Sequence, residues 1–428
     1  MHIFTDILFK LKRFPTKPRR IRVTNLIFCL CLLTGLWLCW VAEDPCYVPR
    51  HLRRYLQFPE DYEIAEKKLS EDNLKNLILQ VERLNAQADV VNWNARAPTD
   101  AVVVVLAHRD VERLQHLIIS LGQVRFIDRV LLIFSHRYFD EEINTLVRSI
   151  HFCRVLQYFY PYSLQLYPNT FPGVDPDDCN ASLTASPATR EPCFVRDARR
   201  IQPKLHWWWT ANYVFESEWR SDKCLTIFLE EDSYVLPDLL HMLKLSHRVL
   251  PYFPSVQVLA FGGPYTQAPE YDLLTIDAWS PPYDNGLALS LNTWRKISAK
   301  SSFFCFFEDC RWSHSLASVF GNFSGGFVDM VASSAPRVLR TRAFPSAGRA
   351  AHEAWREARR ARLFPRHVRA ALTVRAQPRG REGRGEGGCS DLRDQVLCLD
   401  PLMTTTTDVT TDTTLYPIYE IKNISRSR

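Results

Sequence analysis

Three consecutive carboxylates, Glu230, Glu231 and Asp232, end the apolar run that starts at Leu225, and they are the residues best suited to chemistry in this sequence. Carboxylates at the end of a buried strand can hold a hard divalent cation, because Mg²⁺ and Mn²⁺ prefer oxygen ligands. Such a cation binds a diphosphate and neutralises it as it leaves. The alternative is a solvated acidic turn or a helix N-cap, since Asp238 precedes the helical stretch LLHMLKL.

Strands and helices alternate around these carboxylates. Continuous apolar runs predict buried strands at 101–108, 129–134, 154–159, 224–229 and 256–261. Helical spacing of apolar residues follows at 73–90, 114–121 and 139–150. This alternation predicts an α/β fold whose parallel sheet binds nucleotides beyond the carboxyl ends of its strands. The sequence contains no G-x-G-x-x-G and no P-loop motif, so dinucleotide and ATP cradles of those types are not supported.

The N-terminal part of the chain predicts a membrane anchor. Residues 23–42 form an uncharged apolar run that is long enough to cross a bilayer as a helix. A basic tail precedes this run, and Glu43 and Asp44 follow it, so the positive-inside rule puts the bulk of the chain on the lumenal or outer side. A cleaved signal peptide is the alternative. Sequons that agree with a lumenal domain occur at Asn180, Asn322 and Asn423.

Charge and cysteine usage agree with that topology. The net charge of +6 comes from basic clusters at the N-terminus and at 337–384, so no uniform nucleic-acid-binding face is predicted. Among twelve cysteines, Cys179 and Cys193 bracket a short polar loop, as a local disulfide in an oxidising lumen would. The block 340–388 is rich in Arg, Ala and Gly with little apolar patterning, and this favours a solvated or disordered insert.

Long stretches of the chain resemble the N-acetylglucosaminyltransferase II family. The resemblance spans residues 72–330 and 385–400. It rests on VLLIFSH, on 143–179 with its LYPN-FPG-DP-DC pattern, and on KLHWWW, IFLEEDSYVLPD, NGLAL and DLRDQVLC. It implies a GT-A-type Rossmann-like glycosyltransferase domain behind a single N-terminal transmembrane helix. It also implies a type II Golgi membrane protein that uses Mn²⁺ and UDP-GlcNAc. Such an enzyme adds GlcNAc in β-1,2 linkage, with inversion, to the α-1,6-arm mannose of an N-glycan.

Composition and this resemblance together divide the chain. The segments are a cytoplasmic tail (1–22), a transmembrane signal-anchor (23–42), a stem (43–72), the glycosyltransferase domain (73–339), an aberrant Arg/Ala-rich insert (340–388), the C-terminal part of the catalytic domain (389–402) and a low-complexity tail (403–428). The tail is rich in threonine, so we expect it to be disordered or O-glycosylated.

The resemblance also implies roles for single residues. Asp232 matches the metal-binding aspartate. The substrate-binding positions are Leu106, Ala107, His108, Arg109, Asp110, Arg137, Gln202, Pro203, Lys204, Leu205 and His206 for the donor, and Asp284 for the donor or acceptor sugar. The implied disulfides are Cys179–Cys193 and Cys305–Cys398. For the tryptophans at 207–209, helix packing is the alternative to a binding role.

Two positions depart from the family pattern. Ser313 stands where the family has its catalytic aspartate, and Arg340 stands where it has a metal-binding histidine. Serine is not a base by itself, and arginine repels a cation. Asp309 is the substitute base that we assign, with Glu308 and His314 as other candidates, and His352 is a substitute metal ligand.

The same departures also fit a chain that has lost activity. An inactive paralogue would carry both changes, and a faulty gene translation over 333–388 would produce the Arg/Ala-rich composition and Arg340 but not Ser313. The alternative function is therefore a catalytically impaired Golgi relative that binds glycan or UDP-sugar or associates with active transferases. A homodimer is left open.

Overall fold

The structure is a computed structural model that describes residues 48–59, 64, 69–92, 99–176, 178–179, 194–217, 224–264, 269–372 and 389–402. The chain divides into the units Met1–His51 and Leu52–Arg428, and apart from Arg50 and His51 every element given below lies in the second. The predicted span 23–42, Cys193 and the tail 403–428 lie outside the described residues. Within the described part, no helix has the length and apolarity needed to cross a membrane.

Within the described residues, nine strands form one mixed sheet in the order β13-β9-β11-β8-β10-β6-β1-β2-β3, while β7 pairs with β12 and β4 with β5. The strands are β1 (Ala101–Ala107), β2 (Val130–His136), β3 (Arg154–Phe159), β4 (Asp178–Cys179), β5 (Phe194–Val195), β6 (Leu225–Glu230), β7 (Ser233–Val235), β8 (Val256–Ala260), β9 (Leu273–Ala278), β10 (Leu287–Leu289), β11 (Asp329–Ser333), β12 (Val338–Arg340) and β13 (Arg369–Leu372). All five predicted strands are present. The sheet is not wholly parallel as predicted, because β10 runs antiparallel to both β6 and β8 and β9 runs antiparallel to β11.

Ten α-helices are present in the described residues. They are α1 (Glu71–Gln87), α2 (Val111–Leu121), α3 (Glu141–Arg148), α4 (Ala198–Glu216), α5 (Leu239–Val249), α6 (Leu291–Ser298), α7 (Ser301–Cys305), α8 (Trp312–Gly321), α9 (Ala347–Arg360) and α10 (Leu392–Leu399). Single 3-10 turns lie at Arg50–Tyr55, Ile127–Arg129, Leu250–Tyr252, Pro281–Tyr283 and Thr341–Ala343.

The tryptophans of α4 pack the helices against the sheet. Strand β1 is buried along its whole length, as expected of a central strand covered on both faces. On α4, the ring of Trp207 stacks on Trp312 of α8 with centroids 4.4 Å apart. Trp208 donates its indole N–H to the carbonyl of Cys398 at 2.8 Å. The helix-packing alternative for these tryptophans is therefore the one that the structure shows.

The first part of the Arg/Ala-rich segment has defined structure, where its composition predicts a solvated insert. Helix α9 buries four alanines at helical spacing, Ala347, Ala350, Ala351 and Ala354. The helix contacts α2, since the N–H of Ala347 donates to the carboxylate of Glu112 at 2.7 Å. Strand β13 then adds to the sheet edge beside β9. Alanines give only a weak apolar signal, and this is why the composition conceals the buried face of the helix.

Two disulfides join α7 and its following turn to the C-terminal segment. Cys305 pairs with Cys398, as the resemblance implies. Cys310 pairs with Cys389, a bond that sequence reasoning missed. The implied Cys179–Cys193 pair lies outside the described residues because Cys193 does.

Candidate active site

A cavity of about 300 Å³ lies where β1, β2 and β6 end. This is the edge at which sheets of this class bind ligands. The cavity is lined by Leu106, Ala107, His108, Arg137, Pro203, His206, Glu230, Glu231, Asp284, Cys310, Arg311, Trp312, Ser313, Arg340 and Arg342. Seven of the twelve predicted substrate-binding residues belong to this lining, together with the two positions that depart from the family pattern.

Asp232 is buried and contacts two arginines that line this cavity. Its side chain is 0% exposed, with the Nε of Arg342 2.9 Å from Oδ2 and the Nη1 of Arg340 3.7 Å from Oδ1. Neither carboxylate oxygen accepts a hydrogen bond of good geometry, so these contacts are ion pairs and not aligned hydrogen bonds. Arg340 also contacts Asp284, with Nη2 2.7 Å from Oδ1. The predicted metal ligand is therefore already neutralised by guanidinium groups.

The pairing of β7 with β12 puts the arginines there. Arg340 is the register partner of Ser233, the residue after Asp232. Thr341 then donates its N–H and its hydroxyl to the Asp232 carbonyl, at 2.7 and 2.8 Å. Because Thr341 is held in this way, the arginine on each side of it is directed to the same carboxylate.

The residues around Asp232 do not fit the predicted Mn²⁺. Across the described part of the chain, no group of three or more His, Cys, Asp or Glu side chains is placed to hold a metal ion. His352, the substitute ligand considered from sequence, lies on α9 with its ring stacked near Trp355 at 5.8 Å and does not line the cavity. The cofactor therefore stays a prediction from the resemblance.

The ends of β1 and β2 supply polar groups that lack partners. The Nδ1 atom of His108 and the Nε atom of Arg137 are buried and make no hydrogen bond. Burial and the charge of Arg137 lower the pKa of His108 to about 2, so its imidazole is neutral. The backbone N–H of His108 donates to the Glu231 carboxylate at 2.6 Å, and burial raises the pKa of Glu231 to about 7. Unpartnered polar atoms in a cavity indicate a place for a polar ligand.

His206 completes this end of the cavity. Its Nε2 lies 2.9 Å from the hydroxyl of Ser135, which orients the ring. Burial and the charge of Arg137 hold the pKa of His206 well below its ordinary value, so it too is neutral. The two histidines can therefore make hydrogen bonds to a ligand without adding charge.

Five predicted donor-binding residues do not line the cavity: Arg109, Asp110, Gln202, Lys204 and Leu205. Asp110 caps α2 by accepting from the N–H of Arg113 at 3.1 Å. Lys204 is buried and donates to the carbonyls of Phe307 and Asp309, at 2.8 and 3.1 Å. Burial lowers its pKa to about 8. Its ammonium group therefore holds the turn before α8 and does not meet the cavity.

The side chains of the other three residues contact other parts of the protein. Gln202 accepts from the N–H of Leu164 at 3.2 Å. The guanidinium of Arg109 lies 5.2 Å from the centre of the Tyr138 ring. Leu205 is part of the hydrophobic core. Only some residues of this helix and loop therefore line the cavity, and a donor-binding role for them stays a prediction from the resemblance.

The substitute bases do not line the cavity either. Asp309 is 1% exposed and accepts from the N–H of Arg311 at 2.8 Å, with His314 Nδ1 3.1 Å away. Burial acts to raise the pKa of Asp309, but the hydrogen bonds from Arg311 and the charge of His314 outweigh it, so the pKa is lowered. Glu308 is exposed. Ser313, at the family base position, does line the cavity.

Three lining residues were not singled out from the sequence: Cys310, Arg311 and Arg342. Arg342 was not singled out, although it follows Arg340 by two residues and so could share its neighbourhood. Trp312 donates its indole N–H to Glu230 at 3.1 Å, which ties α8 to the end of β6. Burial raises the pKa of Glu230 despite this bond and the charge of Arg340.

Comparison with known proteins decides the family. The sequence profile of N-acetylglucosaminyltransferase II (MGAT2) matches residues 75–398. The chain belongs to the N-acetylglucosaminyltransferase II family. It is thus a glycosyltransferase, and the resemblance found in the sequence is confirmed.

Single relatives agree with this membership. The alpha-1,6-mannosyl-glycoprotein 2-beta-N-acetylglucosaminyltransferase of Sus scrofa is 31% identical over 76% of this chain and 80% of its own length. The Homo sapiens protein of that name is 32% identical over the same shares. A crystal structure of S. aureus TarS 1–349 aligns at 9% identity and a TM-score of 0.32, covering 56% of this chain and 60% of that one. That structural likeness is too slight to carry an argument.

Proposed function

We propose that this glycosyltransferase moves N-acetylglucosamine from UDP-GlcNAc, in β-1,2 linkage and with inversion, to the α-1,6-arm mannose of N-glycans. The observation that carries the proposal is the cavity at the ends of β1, β2 and β6, where His108 and Arg137 hold buried polar atoms without partners. A nucleotide supplies acceptors and donors for both. Relatives named for this transfer cover most of the chain. A GT-A-type arrangement of the sheet belongs to the same proposal.

The acceptor site that we propose is a second cavity, of about 510 Å³. It shares Asp284 and Arg340 with the first cavity and extends past Gly263, Pro281 and Phe344. A donor sugar at the shared residues would meet an acceptor that enters from this side. An inverting transfer also needs a base for the acceptor hydroxyl, and Ser313 cannot act as one alone. We therefore expect transfer to be slow in comparison with a relative that has an aspartate there.

A transfer assay with paired acceptors tests this function. The full-length chain is incubated with UDP-GlcNAc and an N-glycan that has an unmodified α-1,6-arm mannose, and products are measured by mass spectrometry. A matched glycan without that mannose is the control acceptor. We expect a gain of one GlcNAc on the first glycan alone. Equal transfer to both glycans contradicts the acceptor specificity, and UDP binding without any transfer favours the impaired relative.

The Arg137→Ala variant tests the nucleotide cavity itself. Arg137 lines the cavity, whereas Arg148 on α3 is a solvent-exposed arginine paired with Glu141 at 3.6 Å. We expect Arg137→Ala to weaken UDP binding in calorimetry and Arg148→Ala to leave it unchanged. Equal affinities in both variants would place the nucleotide elsewhere.

We also propose a type II Golgi membrane location with a lumenal catalytic domain. The support is the basic tail before residues 23–42 together with the sequon at Asn322, which is exposed at the end of α8. Glycosidase treatment of protein from cultured cells should shift its mobility, and Asn322→Gln should reduce that shift. An unshifted protein that is cut by protease from the cytosolic side refutes this topology.

A further inference from the structure

Two arginines contact the buried carboxylate that the family resemblance assigns to a metal ion. Arg342 and Arg340 lie 2.9 and 3.7 Å from the oxygens of Asp232. We propose that these two guanidinium groups take the place of the divalent cation and bind the donor diphosphate directly, so that UDP binding needs no metal ion. This inference rests on the proposed function, because it assumes that the donor is a nucleoside diphosphate sugar.

The charge at Asp232 supports the replacement. A fully buried carboxylate needs a compensating positive charge, and two guanidinium groups supply the same formal charge as Mn²⁺. A metal ion placed on the same oxygens would meet both cations at close range. Asp232 therefore still holds positive charge at the cavity, but that charge is carried by the side chains of Arg340 and Arg342 and not by a metal ion.

The chemistry of arginine suits the ligand. Arg340 donates one hydrogen bond, to Asp284, and its side chain is 40% exposed, while that of Arg342 is 67% exposed. The planar guanidinium fork matches two phosphate oxygens at once. Both arginines line the cavity that contains Arg137, so a diphosphate bound there would meet donors on two sides.

The backbone positions both groups before any ligand arrives. Thr341, between the two arginines, is held by its two bonds to the Asp232 carbonyl. Arg113 of α2 in turn donates to the Thr341 hydroxyl at 3.0 Å. Positive charge held in place by packed elements stabilises an anion without the cost of reorganising a loop. The pair is thus a built feature of the fold and not a chance meeting of long side chains.

Calorimetric titration of UDP into the full-length chain tests the inference. We expect the same dissociation constant in excess EDTA and in excess Mn²⁺. The double variant Arg340→Ala with Arg342→Ala should bind UDP about 100-fold more weakly in EDTA, because two charge-assisted contacts are lost. Arg360→Ala, at the exposed end of α9, is the matched control and should bind normally.

The double alanine variant also removes both positive charges that contact Asp232, so a second variant is needed that keeps those charges. Thermal unfolding shows whether the alanine variant folds, and Arg340→Lys with Arg342→Lys keeps the charge while removing the fork. We expect about tenfold weaker binding from the lysine variant. UDP binding that appears only with Mn²⁺ overturns the inference and leaves the proposed function standing. Full affinity of the alanine variant in EDTA also overturns it, and the absence of UDP binding in both conditions overturns it together with the proposed function.

Discussion

Ser313→Asp should restore a base to the cavity and raise the turnover number. Ser313 lines the cavity and is 6% exposed. Its neighbour Trp312 is fixed by stacking on Trp207 with rings 4° from parallel, so the backbone at 313 has little freedom to move. A positioned general base contributes about 10²–10⁴-fold to a rate, which is about 2.7–5.5 kcal/mol in the barrier.

The surroundings place the expected gain within that range. Glu231 lines the same cavity, is also 6% exposed and has a pKa raised to about 7 by burial. A carboxylate introduced at Ser313 should be shifted upward for the same reason, and a base with a pKa near the operating pH is the most effective. The positive charge of Arg311, which also lines the cavity, should act to lower the pKa of that carboxylate. We therefore expect a gain of about 10²–10³-fold.

Initial rates of GlcNAc transfer measure this gain. Ser313→Asn is the matched control, because it has nearly the same shape as the aspartate but cannot take up a proton. UDP affinity and thermal unfolding should be recorded for both variants, so that a change in rate is not mistaken for a change in folding. If the aspartate and asparagine variants transfer at equal rates, the base is another residue and our placement of Ser313 is wrong.

Three further predictions concern stability. Arg196→Ala should lower the free energy of unfolding by about 3–5 kcal/mol in denaturant titrations, because it leaves the buried carboxylate of Asp394, now 2.7 Å from Nε, without a partner. Lys204→Met should lower it by about 1–3 kcal/mol by removing the ammonium group that donates to the carbonyls of Phe307 and Asp309, yet leave UDP affinity unchanged; a large loss of affinity would show that Lys204 contacts the donor. Cys310→Ala with Cys389→Ala should cost only about 3 kcal/mol, since the other disulfide remains and the additional loop is about 15 residues long; a loss near 4.7 kcal/mol, as for a ~100-residue loop, would contradict this.

The parallel part of the sheet was predictable because each of its strands coincides with a continuous run of apolar residues in the sequence. The run 101–108 becomes β1 and the run 129–134 becomes β2, with shifts of only one or two residues at their ends. Strand β10 could not be found in this way, since three residues are too few to show a period. It follows directly after Gly286, whose φ of +72° is left-handed and where a Cβ would lie 2.8 Å from Cγ2 of Val338, so the turn into the strand needs a glycine.

The candidate site was predictable in part. Motif matching placed His108, Arg137 and His206 in one cavity, because strand ends and one helix bring them there. It could not show that Lys204 donates to the carbonyls of Phe307 and Asp309, because these residues lie about 100 positions further along the chain and the motif KLHWWW contains no information about them. The contact of Asp232 with Arg342 joins residues far apart in the chain, and only the pairing of β7 with β12 creates it.

The two disulfides have a consequence for how the chain can be altered. Cys305–Cys398 and Cys310–Cys389 lie close together in sequence at both ends, so the chain between 311 and 388 leaves and returns at a fixed point. A single cut of the backbone between 311 and 388 would therefore leave α10 covalently attached to α7 and the turn after it, because both bonds lie outside the cut.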